Sequence, residues 1–240
     1  MDIVAIMGSP RKGGNSDLLL DAFLGGAGED GTAYEKISVC DPGISPCTEC
    51  LACERTGECN IDDGMQTVYP KLLAAGKIVI SAPIYFYGLP AQFKALIDRC
   101  QALWARKYIL NSAPAALSSV EGLSKPDSKL PESGLETPPT DNLLRLRNSN
   151  SADHVSEKLS DHGQPPKEAF ALLLGATGGR ELFAGSLLTI KYFLEPLNVR
   201  LTGSLLFRKI SRKGDILRHP TALSDAYQAG RVFTSKTQRH

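Results

Sequence analysis

The chain has 240 residues, enough for one well-buried α/β domain with a sizeable insertion and too few for two full domains. Its 27 basic and 26 acidic side chains leave a formal charge of +1, which gives no electrostatic case for nucleic acid, a membrane surface or a polyanionic partner and makes a small neutral partner the default. Residues 1–7 start with an acid and run into a turn rather than following the basic-then-apolar layout of a signal peptide, and no apolar window has the length of a membrane span, so a reducing, cytoplasmic setting is expected.

Strand and helix signals alternate in the rhythm of a parallel sheet covered on both faces. Residues 2–7 read as a first buried strand. Ser16 to Leu24 reads as an amphipathic helix opened by an Asn15/Ser16 cap. Thr32 to Val39 alternates polar and apolar residues as a second strand. Asp62-Asp63-Gly64 is placed to cap a helix running through Ala75, and Lys77 to Ala82 is the clearest central strand, stopped by Pro83. From Pro90, the apolar set Phe93, Leu96, Ile97, Cys100, Leu103 and Trp104 predicts a single helix with Pro at its opening turn.

Residues 111–166 contain ten Ser and seven Pro but no Phe, Tyr, Trp or Cys, so they lack the large apolar groups that offset ordering entropy and read as a solvated, disordered insertion. The fold resumes with a fourth strand, Ala169 to Leu174. A helix over 182–195, a fifth strand over Val199 to Phe207 and a final helix over Ala222 to Phe233 follow. The whole reads as one α/β domain with a doubly wound, five-stranded parallel sheet in three layers.

Cys47, Cys50, Cys53 and Cys59 form a C-x2-C-x2-C-x5-C run. Two-residue gaps let a tight loop wrap three corners of a [4Fe–4S] cluster while the longer gap brings in the fourth thiolate. A zinc site fits this spacing less well, because structural zinc usually takes two pairs from separate knuckles, and four unligated thiols remain the third reading. Cys40 and Cys100 lie outside the run and read as plain apolar thiols.

In doubly wound sheets ligands bind beyond the carboxyl ends of the strands, which selects three loops. Gly8-Ser9-Pro10-Arg11-Lys12-Gly13-Gly14-Asn15-Ser16 combines helix-start amides, small hydroxyls and two cations, a set suited to a phosphate monoester. It is not a Walker A loop, because Gly14-Asn15 stands where Lys-Ser/Thr is required, and it lacks G-x-G-x-x-G. Pro83-Ile84-Tyr85-Phe86-Tyr87-Gly88 carries three successive aromatics that cannot all enter the core, so some should line a cleft for a flat ring system. Thr177-Gly178-Gly179 removes side chains where a backbone must come close to a ligand.

These motifs resemble the NADPH-dependent FMN reductase-like branch of the flavodoxin-like proteins, and specifically the iron–sulfur flavoproteins, over residues 1–108 and 168–206, with the polar insertion as a departure. The resemblance implies that Ser9, Arg11, Lys12, Asn15 and Ser16 hold the FMN phosphate. By the same resemblance, Pro83, Ile84, Tyr85, Phe86, Tyr87 and Gly88 run along the isoalloxazine ring, and Cys47, Cys50, Cys53 and Cys59 hold a [4Fe–4S] cluster; Thr177 and Gly178 are read as cofactor-binding from their glycine turn at a strand end. Asp62-Asp63-Gly64-Met65 resembles the acidic segment that follows the cysteines in these proteins, with a glycine inserted before Met65. The implied activity is FMN-dependent oxidoreduction with NAD(P)H as co-substrate or a redox protein as donor or acceptor. Orientation of rings is then the protein's task and no catalytic acid or base is demanded. A homodimer or homotetramer is implied in the same way. A cluster-free NAD(P)H-dependent FMN or quinone reductase and a non-catalytic phosphate-binding module are the alternatives. A cysteine-nucleophile enzyme is weaker, since none of the four histidines lies near a cysteine-bearing element in the sequence.

Overall fold

In a computed structural model that describes residues 2–110 and 166–235, five strands hydrogen-bond side by side, all parallel, in the order β2-β1-β3-β4-β5. They are β1 (Ile3–Met7), β2 (Tyr34–Ser38), β3 (Lys77–Pro83), β4 (Lys167–Leu174) and β5 (Val199–Phe207). This is the flavodoxin-like order, which reverses direction between β1 and β3 and opens a crevice there. The described residues belong to one compact unit. The predicted insertion, residues 111–166, lies outside the described residues apart from Pro166.

Alternation along each strand divides the core into two layers. Val4, Ile6, Ile78, Ile80, Ala171 and Leu173 face one side, against α3 (Met65–Ala74), α4 (Ala91–Arg99), α5 (Gln101–Ala105) and α6 (Ala184–Leu194). Ile3, Ala5, Met7, Val79, Leu172 and Leu174 face the other, against α1 (Asn15–Ala27), α7 (Asp215–Arg218) and α8 (Ala222–Thr234). On the second side Phe23, Phe170 and Phe233 cluster, with ring centroids 5.2, 5.6 and 6.0 Å apart. The β4/β5 register skips Thr202 and sets Phe170 opposite Gly203, where a Cβ would lie 2.5 Å from the ring.

The helix predicted from Pro90 is broken. α4 ends at Arg99, α5 restarts at Gln101, and Arg106–Leu110 winds as a π-turn that brings the Arg106 guanidinium within 3.2 Å of the Gly57 carbonyl. A short helix, α2 (Ala52–Thr56), inside the cysteine segment and α7 before the last helix were not predicted. Cys100 is buried as expected, whereas Cys40 is exposed, because it lies in the turn beyond the buried end of β2.

The register brings the strand ends into step. Met7 pairs with Ser81, Pro83 with Leu174 and Leu174 with Phe207. Beyond them Gly8 N–H donates to Ser81 O (2.7 Å), Ile84 N–H to Leu174 O (2.8 Å) and Gly175 N–H to Phe207 O (2.9 Å). The loops after β1, β3 and β4 therefore leave one edge of the sheet together.

Candidate functional site

The loop after β1 turns through Gly13 in the left-handed region and enters α1 with no side-chain cap at Gly14. First-turn amides of a helix lack intrahelical acceptors, so this start offers donors to an anion. Ser9 and Ser16 are buried at the mouth and Arg11 and Lys12 are exposed, with Lys12 2.6 Å from Asp41. The Ser9 hydroxyl accepts from Arg11 N–H at 3.2 Å, and Ser16 fixes the helix to the sheet by accepting at its carbonyl from the Ser81 hydroxyl (2.8 Å).

Asn15 was expected to cap α1 and to meet a phosphate; its side chain is engaged elsewhere. Nδ2 donates to Arg212 O at 2.8 Å, and Oδ1 accepts from Gly214 N–H at 2.9 Å and Ile216 N–H at 3.4 Å. The amide thus pins the helix start to the loop after β5. Asp17, one turn in, accepts from Gly13 N–H at 2.7 Å and pairs with Lys36. Burial acts to raise the Asp17 carboxyl, but Lys36 and the Gly13 amide outweigh it and hold it below its ordinary value.

After β3, Phe86 and Tyr87 both take positive φ (49° and 62°), and Tyr85 and Gly88 exchange two backbone hydrogen bonds of 2.9 Å. This is a two-residue turn of the kind that normally selects Asn-Gly, here occupied by two aromatics at a conformational cost. All three rings are exposed, Phe86 fully, while Ile84 is buried and anchors the loop. Tyr87 reaches the loop after β4: a Cβ at Gly179 would lie 2.1 Å from its hydroxyl oxygen, so a larger residue there would displace the Tyr87 ring. Thr177 and Gly178 are exposed beside it. The phosphate-type loop, the aromatic turn and the glycine turn thus share one open edge at the sheet's reversal point. The uncapped helix start, hydroxyls, cations and exposed rings fit a phosphate-bearing flat ring such as FMN.

The four cysteines of the run line a single cavity of about 420 Å³, together with Glu49, Leu51, Asp98, Arg99 and Ala102. Glu49 and Leu51 sit in the left-handed region (φ 55° and 57°), which bends the loop tightly between Cys47 and Cys53, and Gly57 (φ 72°) closes α2. Among the described residues no three His, Cys, Asp or Glu side chains converge on one ion position. A four-iron cluster places a separate iron beneath each thiolate, so its ligands line a void instead of meeting at a point, and a cavity lined by four cysteines fits it.

The residue that sequence reasoning missed here is Arg99. Its side chain is fully buried, and every partner lies in the cysteine segment: Nε donates to Cys59 Sγ (3.2 Å), one terminal nitrogen to Ser45 O (3.0 Å) and Asp63 (2.7 Å), and the other to Ile61 O (3.0 Å). A signal was present, because Arg99 is three residues from Leu96 and four from Leu103, on the apolar stripe of its helix, where an unpaired cation is not tolerated.

Asp63 was read as a helix cap and as part of the acidic segment that follows the cysteines. It does accept from Met65 N–H (2.9 Å), but its other oxygen accepts from Ser45 N–H (2.8 Å) and Arg99. Burial opposes its charge, yet Arg99 and these amides hold the carboxyl far below the ordinary range. For Cys59, burial likewise works against the thiolate and is outweighed by the Ile61 amide and Arg99, so the thiol is lowered; burial and the neighbouring cysteines raise Cys53. Gly64, the inserted glycine, is explained by packing: a Cβ there would lie 1.5 Å from Pro42 O.

A family model described as NADPH-dependent FMN reductase matches residues 1–127, more than half of the chain. The chain belongs to this family. It is 38% identical over 122 residues to an iron-sulfur flavoprotein of Methanosarcina thermophila, covering 51% of this chain and 64% of that one. An iron-sulfur flavoprotein of Archaeoglobus fulgidus is 41% identical over 106 residues, 44% of this chain and 54% of its own. The chain therefore spans between about half and two thirds of the length of these curated relatives. The fold is similar to that of an NAD(P)H:quinone oxidoreductase from Methanothermobacter marburgensis, with a TM-score of 0.60 at 14% identity over 99% of this chain and 98% of that one. Among the described residues no helix is long and apolar enough to cross a membrane.

Proposed function

We propose that this member of the family is an FMN-binding oxidoreductase that takes electrons from NAD(P)H or a protein donor and passes them on through FMN, with a [4Fe–4S] cluster held by Cys47, Cys50, Cys53 and Cys59. The observation that carries the reading is the cavity lined by all four cysteines and braced by a buried arginine, on the same chain as the loop constellation at the sheet's reversal point. The names of the two curated relatives support it.

In this reading the amides at the start of α1, with Ser9, Ser16, Arg11 and Lys12, hold the phosphate, while Asn15 holds the helix start itself in place. Pro83 to Gly88, with Thr177 and Gly178, orient the ring, and the strained Phe86-Tyr87 turn presents aromatic faces that exclude water from it. FMN accepts an electron pair from a nicotinamide and can release electrons singly, and a cluster carries one at a time. Trp104, Leu188 and Tyr192, all exposed, line a groove of about 400 Å³ flanked by α5 and α6, which supports a homodimer or homotetramer.

The test is the visible spectrum, FMN content and iron content of protein purified without oxygen. One FMN and about four irons per chain are expected. FMN without iron leaves the cluster-free FMN or quinone reductase, and no flavin after addition of FMN overturns both.

A further inference from the structure

We propose that Arg99 is the positioning residue of the four-cysteine cavity and that its Nε–H bond to Cys59 Sγ, with the charge behind it, raises the reduction potential of whatever iron–sulfur cluster the cavity holds. The inference rests on the cluster reading above and adds to it a residue outside the cysteine motif.

The geometry is that of a single side chain organising a whole loop. Arg99 reaches from the end of α4 and bonds to Ser45, which precedes the first cysteine, to Cys59 itself, and to Ile61 and Asp63, which follow it. Both ends of the cysteine loop are therefore gathered onto one rigid, planar guanidinium, whose fork of donors in fixed directions suits this use better than an ammonium would. Further bonds reinforce it: Tyr69 Oη donates to Arg99 O (2.7 Å), and Gln66 Nε2 donates to Cys59 O (3.2 Å) and Ile61 O (2.9 Å).

The electrostatic consequence follows from burial. A guanidinium does not lose its proton in a protein, and one with no exposed side-chain surface is poorly screened by solvent. A four-thiolate cluster is anionic, and one-electron reduction adds a further negative charge without making or breaking a bond to the protein. A cation and a hydrogen bond at one thiolate favour the reduced form, so they raise the potential. Asp63, 2.7 Å from the same guanidinium, offsets part of that charge. Arg99 and Asp63 consequently act in opposite directions on the same quantity, which a purely structural brace would not do.

The experiment uses the full chain, purified and, where needed, reconstituted with iron and sulfide without oxygen. Iron, sulfide and FMN content are measured together with the cluster midpoint potential, followed by electron paramagnetic resonance in a titration with dithionite, which supplies the electron and is oxidised. Arg99→Gln is expected to lower the midpoint and Arg99→Lys to lower it less, because charge is kept and the directed Nε bond is lost. Asp63→Asn is expected to raise it. Any variant that keeps FMN but loses iron supports the positioning role. Full iron with an unchanged midpoint in Arg99→Gln, or shifts of the same sign in Arg99→Gln and Asp63→Asn, would overturn the proposal while leaving the cluster reading intact. A wild-type protein that takes up no iron overturns the cluster reading and this inference with it.

Discussion

Replacing Asn15 with alanine removes three hydrogen bonds from a residue that is 9% exposed: the one donated to Arg212 O and the two accepted from Gly214 and Ile216 N–H. Two are of ordinary length and the third is long. At about 1 kcal/mol net for each good bond, with ~1–3 kcal/mol more if the Ile216 amide finds no other acceptor, the loss is about 2–5 kcal/mol. For a chain of this size that corresponds to a fall in melting temperature of about 4–20 °C. Equilibrium urea unfolding of the FMN-free protein, with a lowered midpoint and an unchanged slope, is the direct assay. A parallel FMN titration separates bracing from ligation, because a brace costs stability before any ligand is present. Unaltered stability combined with about 100-fold weaker FMN binding would refute the argument and return Asn15 to the phosphate shell.

Two further outcomes are expected. Replacing Phe86 and Tyr87 together by Asn and Gly should remove a left-handed penalty of about 1–2 kcal/mol per residue and raise the melting temperature of the FMN-free protein while weakening FMN retention; no rise in stability would refute the strain argument. The Asp63 carboxyl is held below its ordinary value in the folded state, so its contribution to stability is complete above the unfolded value of about 3.9 and is lost as pH falls below it. The gap in urea midpoint between wild type and Asp63→Asn should therefore be widest near neutrality and narrow progressively below about pH 4, and a gap constant from pH 7 to pH 3 would contradict the assignment.

Much of the fold was legible because its signals are local. Val4, Ile6, Ile78 and Ile80 belong to apolar runs long enough to be buried strands, and the spacing of Phe93, Leu96, Cys100 and Leu103 declares a helix face before any contact is known. The break at Cys100 escaped the sequence, since no Pro or Gly marks it and the π-turn is stabilised by Arg106 on the distant Gly57 carbonyl.

The sequence by itself determined the five-strand order of appearance, the loops at the strand ends and the four-cysteine motif, because spacing along the chain dictates periodicity, turn chemistry and which thiolates one loop can present. Only the tertiary structure decided what lies across from those motifs. Asn15 turns to a loop some 200 positions away, Tyr87 rests on Gly179, and Arg99 reaches back from a different helix to bond both ends of the cysteine loop. Each depends on helices and loops folding back over the sheet, and the burial that makes Arg99 electrostatically strong exists only once α4 has packed against that loop.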